Sequence, residues 1–221
     1  MSLVLSIPYF FYARHDRQYF AQAITQIKYV IDLLNYPFIK DVVFFDIHNP
    51  LTLKYFHCRV HDLSPGNILY EYVKSREVDY FNNIILIAPD VGATNRVKEF
   101  ANYFKCEYFV LSKKRVVKEV IIEMSIEKSL ENMNCLICDD IVDTAGTLIK
   151  ATECLYQYGA RNVSAFCTHP VLSAKAVENI ERSKLRELIV TNSILKNITS
   201  KKIKILDIYK GILSEEISED F

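Results

Sequence analysis

Short apolar runs alternate with amphipathic stretches along the whole chain. "LVLSIP", "DVVFFDI", "IILIAP", "CEYFVLS", "EVIIEM", "NCLICDD", "NVSAFCT", "ELIVT" and "IKILDI" have the length of strands. Between them, apolar residues recur at helical spacing over about 19–34, 66–75, 95–104 and 173–182, and from Thr147 onward, with Gly159 as a cap. A short helix is expected at the end. Such alternation predicts an α/β fold with a mostly parallel sheet flanked by helices. The pattern breaks at "HDLSPGN", residues 61–67, where a domain boundary is expected. The first run, "LVLSIP", reads as a buried strand, yet it starts at residue 3 with nothing ahead of it to supply a neighbour. The expectation is a missing N-terminal part and an exposed sheet edge.

Composition adds limits. The 221 residues are 50% hydrophobic and carry a formal net charge of zero, enough for a real core in one large domain or somewhat more. Balanced charge argues against bulk electrostatic binding to nucleic acid or an anionic membrane. No apolar run reaches the length of a membrane span, and "MSLVLSIPYF" lacks a basic leader and a cleavage site, so the cytoplasm is the expected location. Of the six cysteines, Cys135, Cys138 and Cys167 sit inside strand-like runs. Cys135 and Cys138 would point to opposite faces of a strand, and no second pair completes a zinc site, so buried thiols are expected.

The chemistry concentrates in "CLICDDIVDTAGTLIKA", residues 135–151. A strand, an acidic loop and a helix follow in that order, and such loops bind ligands in open α/β sheets. Asp139 and Asp140 repel each other and call for water, a cation or hydroxyl donors. A vicinal diol such as that of ribose offers two donors. Thr144, Ala145, Gly146 and Thr147 then let backbone N–H groups converge on an anion at a helix N-terminus. Diol at one end and phosphate at the other describe ribose 5-phosphate. A generic acidic loop with a capped helix, or a Mg²⁺ loop of another phosphotransfer enzyme, fits the same residue types.

"LICDDIVDTAGT" closely resembles the phosphoribosyl-pyrophosphate loop of type I phosphoribosyltransferase folds. With "IPYFFYARHDR" and "GARNVSAFCTHPVLSAKAVENIERSKLRELIVTNSI", the chain resembles the ribose-phosphate pyrophosphokinases from about residue 5 to 217. The resemblance implies a type I phosphoribosyltransferase-like domain over 61–205, preceded by a partial domain of the same type over 1–60. Residues 206–221 would form a C-terminal helix packing back on the first domain. It also implies transfer of the β,γ-diphosphoryl unit of ATP to ribose 5-phosphate with Mg²⁺, in a homo-oligomer.

By the same resemblance, Asp139 and Asp140 hold the ribose hydroxyls, and Asp143, Thr144, Ala145, Gly146 and Thr147 hold the 5-phosphate. "SKKRVVKEV" matches the family's mobile catalytic segment, with Lys113 and Arg115 on its catalytic Lys and Arg. "FFDIHNP" sets Asp46 and His48 at a strand end, where the family's His reaches the metal. "APDVGATNR" supplies Asp90 as a Mg²⁺ ligand, then Gly92 and Ala93 where backbone approaches the diphosphate. "YARHDR" places Arg14, His15 and Asp16 near ATP.

The chain departs from the family at His15, where Gln is usual, after Arg17, where further basic residues and a Pro are replaced by "QYFAQAIT", and near "VTNSIL", which lacks an expected Asp and Pro. The family's N-terminal segment, which clasps adenine across a subunit interface, has no counterpart. Two rivals follow: a non-catalytic paralogue that binds phosphorylated ribose and regulates a full-length partner, and a phosphoribosyltransferase using the same loop. Lys113 with Arg115 favours the pyrophosphokinase, the absent segment favours the paralogue, and no hood for a base is evident.

Overall fold

The computed structural model describes residues 2–14, 26–76, 81–116, 119–124 and 129–210, and for 113–116 and 119–124 the backbone alone. His15 and Asp16, the start of the helix expected from 19, and the terminal helix lie outside the described residues. Two units are formed, Met1–Pro65 and Gly66–Phe221.

In the first unit, β1 (Leu3–Ile7), β2 (Ile39–Phe45) and β3 (Arg59–Leu63) form a parallel sheet in that order, with α1 (Gln26–Leu34) between β1 and β2 in the chain. Phe44 of β2 lies 5.3 Å from Phe10 and 5.4 Å from Phe56, ring to ring, and Ile27 and Ile31 of α1 complete the cluster. Aromatic pairs at such tilts add about 0.5–1.5 kcal/mol each beyond burial. The buried Asp41 of β2 fixes the β2–β3 pairing by accepting from Arg59 and lying 3.1 Å from His61 Nε2. The front strand is the exposed sheet edge expected there, with Leu3 45% and Val4 52% exposed. The compact units meet after Pro65, inside the 61–67 stretch where the pattern breaks, rather than after residue 60, because "RVHDL", which carries no apolar run, is the strand β3.

The second unit holds β4 (Ile84–Ala88), β5 (Tyr108–Val116), β6 (Glu119–Met124), β7 (Asn134–Val142), β8 (Asn162–Pro170), β9 (Leu188–Thr191) and β10 (Ile203–Leu206). Its sheet has the order β10-β9-β8-β7-β4-β5-β6, parallel throughout except that β6 runs antiparallel to β5. The α-helices among its described residues are α2 (Gly66–Lys74), α3 (Thr94–Phe104), α4 (Gly146–Gln157) and α5 (Ala176–Arg182).

Both faces of this sheet are covered, as its continuous apolar strands require. Along β7, Cys135 and Ile137 pack with Leu148, Ala151 and Leu155 of α4 and Ile180 of α5. Leu136 and Cys138 pack on the other face with Leu69 of α2 and Val97, Phe100 and Phe104 of α3. The two cysteines of the C-x-x-C pair therefore face opposite cores, and burial pushes the Cys135 thiol up to about 12. All six cysteines are free thiols. The helix after β7 ends where expected: Gly159 has φ +91°, a left-handed conformation that glycine adopts without strain.

The chain order fixes where a ligand site belongs. From β4 the chain crosses through α3 to β5 on one side, whereas from β7 it crosses through α4 to β8 on the other. Neighbouring strands whose connections diverge leave a crevice beyond their carboxyl ends, between the two loops. The loops there are the one after Ala88 and the one after Val142.

Candidate functional site

The two loops at this switch point carry the acidic residues singled out in the sequence. Asp90 follows β4 and caps a short 3₁₀ turn, its Oδ1 accepting from Gly92 N at 2.9 Å. A Cβ at Gly92 would stand 3.1 Å from that same Asp90 oxygen, so the small residue leaves room for the carboxylate. Asp139 and Asp140 lie toward the carboxyl end of β7. Asp139 Oδ1 accepts from Asp140 N at 3.0 Å, and Asp140 Oδ1 accepts from Ile141 N at 2.9 Å.

Electrostatics joins these groups. Burial first, and then the carboxylates of Asp140 and Asp90, push the Asp139 carboxyl up to about 7 against the opposing pull of Arg96. Arg96 stands on the first turn of α3, and its Nη2 is 3.8 Å from Asp140 Oδ2. Sequence reasoning missed Arg96. A single Arg in a helical stretch carries no signal until the fold brings that helix beside β7. Beneath the pair, Cys167 is paired with Asp139 across β7–β8 and its thiol is raised, by burial first and then by the two carboxylates.

The turn beyond the pair leads into the N-terminus of α4. Ala145 is the N-cap of α4 with φ 64°, left-handed, and its side chain offers no capping acceptor. The first N–H groups of α4 therefore receive no capping bond from the N-cap side chain, and the positive end of the helix dipole lies there. Thr144, Gly146 and Thr147 are exposed around it, and Ala145 is buried. At Gly146 a Cβ would meet Thr144 Oγ1 at 3.8 Å, ordinary contact, and its φ lies outside the left-handed range. Nothing among the described residues requires glycine there, and the open space above it suits a docking group. The Asp143 carboxylate accepts from the Ser173 hydroxyl.

Lys113 and Arg115 lie on β5 itself, opposite Ile122 and Val120 of β6, so the segment matched to the catalytic loop is the arm of a β-hairpin. In the first unit, Asp46 follows β2 with φ 52°, its N–H donating to Leu63 O, and Ile47 N donates to Asp62 Oδ1. These bonds present His48 as an exposed side chain at the end of β2. Arg14 is exposed in a turn after β1. The structure therefore gathers Asp90, Asp139, Asp140 and the 143–147 loop within one unit, while Arg14, Asp46 and His48 belong to the other.

Among the described residues, no three His, Cys, Asp or Glu side chains stand close enough to hold a metal ion by themselves. No helix among them is long and apolar enough to cross a membrane.

Residues 66–201 match the phosphoribosyl transferase domain model. The chain belongs to the phosphoribosyl transferase domain family. Within it, the chain is 34% identical over 193 residues to a ribose-phosphate pyrophosphokinase of Oceanobacillus iheyensis, covering 87% of this chain and 60% of that protein. It is 36% identical over 188 residues to the ribose-phosphate pyrophosphokinase of Bacillus caldolyticus, covering 85% and 59%. The resemblance read from the motifs is thus met along most of the chain, and the chain spans about 60% of the length of these curated relatives. A crystal structure of phosphoribosylpyrophosphate synthetase from Mycobacterium smegmatis superposes with a TM-score of 0.81 at 23% identity, covering 94% of this chain and 67% of that one, which shows the shared fold.

Proposed function

We propose that the loop after β7 binds ribose 5-phosphate and that the protein transfers diphosphate from ATP to it. The products are 5-phosphoribosyl 1-pyrophosphate and AMP. Gly146 carries this reading: a position where the protein itself tolerates a Cβ, beside a helix start without a side-chain cap, fits a phosphate resting on the backbone. The similarity to ribose-phosphate pyrophosphokinases supports the same substrate.

In this reading Asp139 and Asp140 accept hydrogen bonds from the ribose hydroxyls, and the N–H groups and hydroxyls of Thr144 to Thr147 hold the 5-phosphate. The sugar's 1-hydroxyl oxygen attacks the β-phosphorus and gives up its proton to solvent, and the bond to the α–β bridging oxygen breaks as that oxygen leaves with AMP. Little covalent work falls to the protein in such a transfer, so positioning and charge stabilisation dominate. Lys113 and Arg115 supply positive charge to the moving phosphoryl groups, and Arg14, His15 and Asp16 serve the nucleotide.

Mg²⁺ suits the donor chemistry. The crowding that raises Asp139 comes from burial and from Asp140 and Asp90, with Arg96 opposing it, and a hard cation beside these oxygens would relieve it. Asp90 is a proposed metal ligand in the second unit and His48 in the first, each with water and phosphate oxygens as further donors. When bound, the ion neutralises phosphate charge. A homo-oligomer in the cytoplasm is the proposed setting.

The test is AMP release from ATP, followed with and without ribose 5-phosphate. Release that requires the sugar phosphate supports transfer. Binding of the sugar phosphate with no AMP at any enzyme concentration would instead leave a ribose-phosphate-binding protein without this activity.

A further inference from the structure

The phosphate loop does not stand alone. Residues 171–174, "VLSA", follow β8 and run alongside it. Leu172 N donates to Val142 O at 3.0 Å and Ser173 N to Asp143 O at 3.1 Å, while the Ser173 hydroxyl donates to Asp143 Oδ1. Ser173 thus grips Asp143 twice, once by backbone and once by side chain.

The conformation needed for this grip is strained. Leu172 has φ 43° and Ala174 has φ 50°, both in the left-handed region that residues with a Cβ adopt at a cost of about 1 kcal/mol or more. Ala145, at the other end of the cradle, is left-handed too, at φ 64°. Such a segment persists when its surroundings fix it, and a fixing group is present. Lys196, from the irregular stretch after β9, donates through Nζ to Val171 O, and to Leu172 O at 3.1 Å. One ammonium group holds two successive carbonyls of the strained turn, and Leu172 is buried beneath it.

Resting on the ribose 5-phosphate reading, we infer that Ser173 is a positioning residue for the phosphate loop and that Lys196 locks the 171–174 strap against it. Asp143 on this view does not meet the phosphate with its carboxylate, which would oppose an anion. It is the handle by which the strap sets the N–H groups of 144–147 at their spacing before the sugar phosphate arrives. Preorganisation of this kind enters binding directly, since a loop ordered in advance does not lose that freedom on association.

The experiment uses the full chain as wild type, Ser173→Ala, Ser173→Thr and Lys196→Met, with two readouts on each. Amide exchange over 143–149 and 171–174 reports the strap without any ligand, and calorimetric titration with ribose 5-phosphate reports its consequence. Ser173→Ala is expected to speed exchange in both segments by about tenfold and to weaken ribose 5-phosphate binding by about tenfold, as loss of a hydrogen bond to a charged group implies. Ser173→Thr, which keeps the hydroxyl, should restore both, and Lys196→Met should reproduce the exchange effect. Unchanged exchange in Ser173→Ala would overturn the strap, whatever the binding shows. Faster exchange with unchanged affinity would overturn the positioning role. Faster exchange in a protein whose wild type does not bind ribose 5-phosphate would keep the strap and overturn the ligand assignment.

Discussion

Asp140 Oδ2 lies 3.8 Å from Arg96 Nη2, so the cation on α3 reaches the acidic pair near the carboxyl end of β7. The two elements come from opposite sides of the point where the chain's crossovers diverge, and this contact ties them. Asp139, one residue earlier, remains pushed up to about 7 by burial and by its acidic neighbours, with Arg96 alone among the named charges opposing.

That shift has a sign that can be measured. Asp139 has an ordinary value of 3.8, so between that and about 7 the folded protein holds a proton that the unfolded chain has released. Ligand-free stability should therefore fall as pH rises through this window, by on the order of 1 kcal/mol after allowance for screening. Asp139→Asn should remove that part of the slope. Chemical denaturation at a series of pH values gives the comparison, and an equal slope in both proteins would contradict the assignment.

Charge stabilisation by Lys113 should appear in turnover rather than in affinity. Lys113→Ala is expected to lower kcat by about 10²-fold or more with little change in KM for either substrate. Steady-state rates of AMP formation decide this. A change confined to KM would make Lys113 a binding residue.

Stability away from the site rests in part on Glu187, which is buried just before β9. Arg76 Nη2 donates to its Oε1 at 3.1 Å and Tyr72 Oη donates to its Oε2 at 3.0 Å. Arg76→Met leaves the carboxylate with the tyrosine alone and should cost about 2 kcal/mol, below the usual range for a fully buried pair because Arg76 is partly exposed. Urea unfolding midpoints would show it, with activity unchanged at saturating substrate.

Much of this architecture is legible in the residues, and the exceptions have physical causes. The long apolar strands β4, β7 and β8 and the helix after Thr147 announce themselves because both faces of the sheet are buried. "RVHDL" hides as a strand because its buried polar partner, Asp41, replaces an apolar contact. β5 reads as ending at Ser112 because Lys113, Lys114 and Arg115 look like a surface run, yet its ladder with β6 extends to Val116. The acidic pair and the small-residue turn are local and could be read directly. Arg96, Ser173 and Lys196 could not, since Arg96 and Ser173 reach the acidic residues, and Lys196 the 171–174 segment, from separate parts of the chain that only the sheet order brings together.

The central claim is that the loop after β7 is a ribose 5-phosphate cradle, and the most direct measurement compares wild type with Gly146→Val by titration calorimetry. A Cβ at Gly146 meets only ordinary contact within the protein, so the variant should fold with a melting temperature close to wild type. It should nonetheless lose ribose 5-phosphate binding by about 10²-fold or more, because the added side chain fills the space where the phosphate approaches the backbone. Unchanged affinity in a folded Gly146→Val protein would contradict the account.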